Sequence, residues 1–149
     1  MIRSLLRALV MMVGIAILSG CNNSPRKRPV GLLDLGNFQQ FTETYTYRPD
    51  AQIMVFKDEA GLSFMSTECT YDLALLKFAP GPTGEMEFSS NFSTSRYSLT
   101  GGVLSGPSKF PLPFYRARYA EAVLDGPKTS IYVETPREVP ESWRLAIPK

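Results

Sequence analysis

The chain has 149 residues, with 16 Lys and Arg against 14 Asp and Glu, two cysteines and no histidine. That length suits one domain with a proper core, and the near-balanced charge argues against nucleic acid as a partner. Imidazole is the commonest transition-metal ligand and the usual base beside a serine or cysteine nucleophile. Its absence excludes His-based zinc sites and Ser-His-Asp or Cys-His catalysis for the chain acting alone, so no enzyme activity is expected.

Residues 1–20 read as an export signal peptide. Arg3 and Arg7 form a positive n-region, and residues 8–18 are an apolar run too short to span a bilayer comfortably. The run closes with Leu18-Ser19-Gly20-Cys21, which resembles the bacterial lipobox. The resemblance implies cleavage and diacylation of Cys21, and with ~0.8 kcal/mol of membrane affinity per buried methylene, two or three acyl chains anchor nearly permanently. Removing 20 of the 149 residues leaves 129, and losing Arg3 and Arg7 brings 16 cations to 14, equal to the 14 carboxylates. Cys69 is then the remaining thiol, which excludes an internal disulfide and points to a buried side chain. Residues 21–29 form a lipidated flexible tether. Its Arg26-Lys27-Arg28 run reads either as a contact with anionic head groups, about 1 kcal/mol per cation, or as a solvated spacer. The expected location is the cell envelope on the periplasmic or exoplasmic face, with the inner or outer membrane left open.

From residue 30 to 149 the chain reads as one all-β domain. Residues 30–35 form a first segment, with Phe38 and Phe41 as early core candidates. Residues 42–47 alternate threonine with Tyr45 and Tyr47, a strand stopped by Arg48-Pro49-Asp50. Residues 52–57 are almost continuously apolar, which predicts a strand covered on both faces. Asp58-Glu59-Ala60-Gly61 turns it back into residues 62–66 as a hairpin. Residues 73–78 are a further apolar segment, 79–84 a Pro/Gly loop and 86–88 a short strand. Thr100-Gly101-Gly102 sits between two short apolar segments, and paired glycines accept φ > 0 at both centres of a tight turn. Pro107, Pro111 and Pro113 then hold an extended loop. Residues 114–120 and 130–133 close the fold. Pro136, Pro140 and Pro148 predict an irregular tail anchored by Trp143. No helical period beyond the signal and no internal repeat is present.

The stretch Gly61-Leu62-Ser63-Phe64-Met65-Ser66-Thr67-Glu68-Cys69-Thr70-Tyr71 resembles the strand and first cluster-binding loop of Rieske-type [2Fe–2S] domains. Residues 88–97 fall where that family places its second loop. Residues 102–113 look like the family's next segment, including the proline loop, so the resemblance covers roughly 30–133. The family's loops read C-T-H-x-x-C and C-P-C-H-G-S. Cys69 keeps the first ligand position, whereas Tyr71, Ser90 and Ser93 stand at the other three. Ala74 and Phe92 stand where two cysteines normally clip the loops together. A Rieske cluster takes two thiolates and two imidazoles, and serine and tyrosine hydroxyls, protonated at neutral pH, are poor substitutes. The resemblance therefore implies a cluster-free domain with vestigial ligand positions and no cofactor beyond the lipid on Cys21. Apolar packing of Ala74 and Phe92 is expected to replace the disulfide, and the hydroxyls of Ser89, Ser90, Ser93, Thr94 and Ser95 to bond loop backbone.

Bland readings weigh against sharper ones at several positions. Cys69 has no adjoining cation to lower its pKa, so it reads as a core cysteine rather than a redox sensor. Tyr71 reads as a loop-capping phenol rather than a ligand donor, and Glu68 and Asp72 as solvated loop carboxylates rather than an acid–base pair. Tyr115, Arg116, Arg118 and Tyr119 fit a docking edge or a half-exposed strand equally well. The functional expectation is a membrane-anchored, non-catalytic structural or accessory subunit of a membrane electron-transfer complex. Two others stand beside it: an electron-transfer subunit with unusual or partner-supplied ligation, and a free-standing envelope lipoprotein with a ligand pocket between the Cys69 and Ser90 loops.

Overall fold

In the computed structural model, residues 31–120 and 129–148 are described. The signal, the tether and the expected lipidation of Cys21 lie outside them. The described residues form ten strands: β1 Gly31–Asn37, β2 Tyr45–Arg48, β3 Ile53–Asp58, β4 Gly61–Ser66, β5 Lys77–Pro80, β6 Met86–Ser89, β7 Arg96–Ser98, β8 Val103–Ser105, β9 Phe114–Tyr119 and β10 Ser130–Val139. A 3-10 turn, Phe38–Gln40, is capped by Asn37, whose side chain accepts from the Gln39 amide. Among the described residues no helix is long and apolar enough to cross a membrane.

The strands form two antiparallel sheets, six-stranded in the order β1-β10-β9-β4-β3-β2 and four-stranded in the order β5-β6-β7-β8. β3 and β4 pair from Ile53↔Ser66 to Asp58↔Gly61, the predicted hairpin. β3 is covered on both sides. Ile53 and Val55 join one core with Leu62, Phe64, Ile131 and Val133, while Met54 turns to a second core with Met65, Cys69, Phe88 and Tyr97. The second core is the seam between the sheets. Aromatic edges reinforce it: Phe78 and Phe88 stack at 4.9 Å, and Tyr47 packs against both rings.

Four sequence expectations need correction. β10 does not stop at Val133 but runs through Pro136 to Val139, with a register shift between Val133 and Glu138. Pro136 falls in that stretch, where no ladder amide is required of it. The apolar segment at 73–78 becomes a strand only from Lys77, since residues 73–76 belong to a loop. In the β7–β8 turn, Gly101 has φ +87° while Gly102 is not left-handed. Gly101 is needed for closeness as well: a Cβ there would lie 2.6 Å from Met65 Sδ and 3.1 Å from Leu112 Cβ. Finally, β9 is an interior strand between β10 and β4, so Tyr115, Arg116, Arg118 and Tyr119 do not make a docking edge. Tyr115 is buried in the first core, and Arg118 pairs with Glu134 at 3.1 Å. Trp143 does pack on the body, and the tail is stitched to β4 by reciprocal bonds between Leu62 and Leu145 (3.0 and 2.8 Å).

Candidate functional site

Three loops meet at one end of the sheets: residues 67–76 between β4 and β5, 90–95 between β6 and β7, and 106–113 between β8 and β9. Each is pinned by its own sequence. In the first, Cys69 N–H donates to the Ala74 carbonyl (2.8 Å) and Leu73 N–H to the Cys69 carbonyl (3.0 Å). Leu73 takes a left-handed φ of +58° to close this turn, and the Asp72 carboxylate accepts the Ala74 amide (3.0 Å). In the second, the Ser90 hydroxyl accepts from the amides of Phe92 (3.1 Å) and Ser93 (3.2 Å). Ser93 Oγ donates to Ser95 Oγ (3.0 Å). The third loop is held by Leu112 N–H on the Gly101 carbonyl (2.9 Å) and by Pro113, whose carbonyl accepts from Ser66 N–H (2.8 Å).

Between the loops the contacts are polar. Ser90 Oγ donates to Asp72 Oδ2 at 2.7 Å, which joins the first loop to the second. This corrects the expected apolar clip: Phe92 is 76% exposed and bridges nothing inside the protein. Burial alone would raise the Asp72 carboxyl, but the Ser90 and Ser93 hydroxyls, the Ala74 amide and the Cys69 thiol together outweigh it and leave the pKa below the ordinary 3.8. Glu68 is likewise no solvated carboxylate, being 3% exposed. Tyr71 does not cap the loop and stands 60% exposed.

The capping phenol is Tyr97, from β7. Its oxygen lies 3.3 Å from Cys69 Sγ, 3.1 Å from Thr70 N and 3.0 Å from Thr70 Oγ1. Thr70 Oγ1 in turn lies 2.6 Å from Ser108 Oγ and donates to the Phe110 carbonyl at 2.8 Å. The Phe110 carbonyl also accepts from Ser108 Oγ at 3.3 Å, and the fully buried Cys69 thiol and the Tyr97 phenol share a hydrogen bond. Burial first, and then the Cys69 neighbour, raise the Tyr97 phenol above its usual 10.0, which keeps it protonated as this arrangement needs.

No family model matches the chain, and no curated protein matches it in sequence.

The four positions assigned by resemblance as cluster ligands are therefore brought to one end of the molecule, but they do not present a donor set. Cys69 Sγ is spent on Tyr97, Tyr71 turns to solvent, Ser90 Oγ is held by Asp72 and two amides, and Ser93 Oγ is bonded to Ser95. Among the described residues no group of three His, Cys, Asp or Glu side chains is placed to hold a metal ion. A [2Fe–2S] cluster, which needs two ligands on each iron, does not fit these residues. Nor do the clefts described open between the two loops. One, about 550 Å³, lies along Phe110, Pro111, Pro113 and Phe114 to Glu138 and Glu141. Another, about 660 Å³, is lined by Tyr45 from β2 and by Met86, Glu87, Arg96 and Leu104 of the four-stranded sheet. Sequence reading missed Tyr97, Thr70 and Ser108 as the centre of the site. One signal pointed to them: a tyrosine beside the glycine turn and hydroxyls flanking both the cysteine and the proline loop.

Proposed function

We propose that this chain is a membrane-anchored lipoprotein whose domain keeps a Rieske-like body without the iron–sulfur cluster, serving as a non-catalytic subunit of a membrane electron-transfer complex. The observation that carries this reading is the Asp72–Ser90 bond at 2.7 Å. It clasps the two loops that the resemblance pairs, each partner two residues before Ala74 or Phe92, the positions where the family uses a disulfide. Hydroxyl and thiol groups that could face a metal are consumed in holding the loops to one another. The absence of histidine removes the usual routes to catalysis by this chain alone, which leaves shape and surface as what it offers.

The test is affinity purification of the tagged, full-length protein from detergent-solubilised membranes, followed by native mass spectrometry and metal analysis. The expected result is Cys21 bearing diacylglycerol, integral redox subunits in fixed ratio, and no iron attributable to this chain. A Rieske electron-paramagnetic-resonance signal from the isolated chain would refute the cluster-free assignment. Recovery of the chain without any stoichiometric membrane partner would refute the subunit assignment.

A further inference from the structure

The three most exposed large hydrophobic side chains among the described residues are Phe92 (76%), Phe110 (68%) and Tyr71 (60%). They come one from each of the three loops. Thr70 Oγ1 holds the Phe110 carbonyl, Asp72 holds Ser90, and Ser90 holds the Phe92 amide. The aromatic residues are therefore carried on a rigid, cross-bonded tip rather than on loose loops. Residues 89–95 carry no charge, residues 69–75 carry only Asp72, which is clasped by Ser90, and residues 107–113 carry only Lys109. A soluble surface seldom leaves three large aromatic side chains together in so neutral a setting unless they meet an apolar phase.

The sheet register says which phase. β4 ends where β9 begins, at Met65↔Phe114; β9 begins where β10 ends, at Phe114↔Val139; and β1 starts opposite Thr135 in the same half of β10. Gly31, where the described chain starts, thus enters the six-stranded sheet at the end that bears the aromatic tip. About ten residues separate it from Cys21, a reach of at most about 35 Å. A lipid at Cys21 holds that same end toward the bilayer.

We infer that Tyr71, Phe92 and Phe110 form a second membrane contact, an aromatic tip that seats in the interfacial layer of the lipid bilayer and fixes how the tethered domain faces the membrane. Aromatic rings are favoured at that depth. The inference rests on the reading of Cys21 as the lipid anchor. Glu138 and Glu141 line the cleft behind Phe110, so apolar burial rather than attraction to anionic head groups holds the tip. Contact is therefore expected with neutral lipid and at raised salt.

The experiment places a nitroxide on Asn91→Cys in the full lipidated chain. A control nitroxide goes on Glu59→Cys, in the β3–β4 turn at the opposite end of the sheet. Cys69, being buried, stays unlabelled. In vesicles of phosphatidylcholine alone, the probe at 91 is expected to be reached by oxygen in preference to a water-soluble nickel complex, and the probe at 59 the reverse. The triple variant Tyr71→Ser, Phe92→Ser, Phe110→Ser changes exposed positions only, and is expected to return the probe at 91 to the water-like ratio with an unchanged melting temperature. Equal, water-like ratios at both sites in the unmodified chain would overturn the inference. So would protection of site 91 that arises in native membranes and not in protein-free vesicles, which would assign the tip to a protein partner. The mass of the Cys21 peptide reports the anchor separately, so loss of the anchor reading and failure of the tip are distinguishable.

Discussion

Replacing Tyr97 by Phe isolates the role of one oxygen. The ring remains, so no cavity opens and the transfer contribution of the side chain is nearly unchanged. What is lost is the acceptor for Thr70 N–H at 3.1 Å, together with the hydrogen bonds shared with the Cys69 thiol at 3.3 Å and with Thr70 Oγ1 at 3.0 Å. Thr70 Oγ1 keeps Ser108 and Phe110, and a thiol is a weak donor, so the stranded Thr70 amide dominates. Leaving such a group without its partner destabilises by about 1–3 kcal/mol. With a urea dependence of about 2 kcal/mol per molar, the midpoint should fall by about 1 M at the centre of that range. Trp143, half-buried against the first core, supplies the fluorescence signal. Tyr119→Phe is the control, since its hydroxyl bonds the Ala146 carbonyl at an exposed site (3.0 Å) and should shift stability by less than about 0.5 kcal/mol. If Tyr97→Phe behaved like Tyr119→Phe, the phenol would not be the keystone of the three loops.

Gly101→Ala should destabilise by about 2–4 kcal/mol in the same urea titration, combining a left-handed backbone with overpacking against Met65 and Leu112. Asp72 has a folded pKa below its ordinary 3.8, so its contribution is present above that value and is lost as pH falls through the lowered folded value. Comparing urea midpoints for the native protein and Asp72→Asn at pH 7 and pH 3 should show a difference at pH 7 that shrinks at pH 3. A constant difference would contradict the clasp. The Cys69 thiol, fully buried, should react with an aromatic disulfide reagent only through opening of the fold, slowed on the order of a thousandfold or more relative to the urea-unfolded chain. Rapid stoichiometric labelling of the native protein would refute its burial.

Alternation and turn chemistry made most of the sheets legible in the sequence. Residues 52–66 gave the β3–β4 hairpin because a continuous apolar run, an Asp-Glu-Ala-Gly turn and a second apolar run agree with one another. The length of β10 was hidden because Pro136 reads as a breaker, although it falls where the ladder changes register. At the site, the resemblance brought Cys69 and Ser90 into the same argument, and the chain does fold them onto neighbouring loops. What it could not convey is side-chain direction. Phe92 is expected from the resemblance to pack with Ala74, yet its serine-rich loop bonds its own backbone and the ring is turned outward. Glu68 reads as solvent-facing, yet it bridges Leu75 across the loop that follows β4 and is held inside beside the buried Cys69. Tyr97 gave no motif because its importance comes from meeting Thr70, 27 residues away.

The pairing of β1 with β10 and the stitching of Leu62 to Leu145 have a consequence for how the molecule comes into being. β1 has its neighbour only once β10 has been made, and the Leu62 end of β4 is bonded only when the segment around Leu145 arrives. The six-stranded sheet therefore closes only after β10 has been made, through contacts between residues about a hundred positions apart. Such an architecture stays threadable until late and then locks in one step.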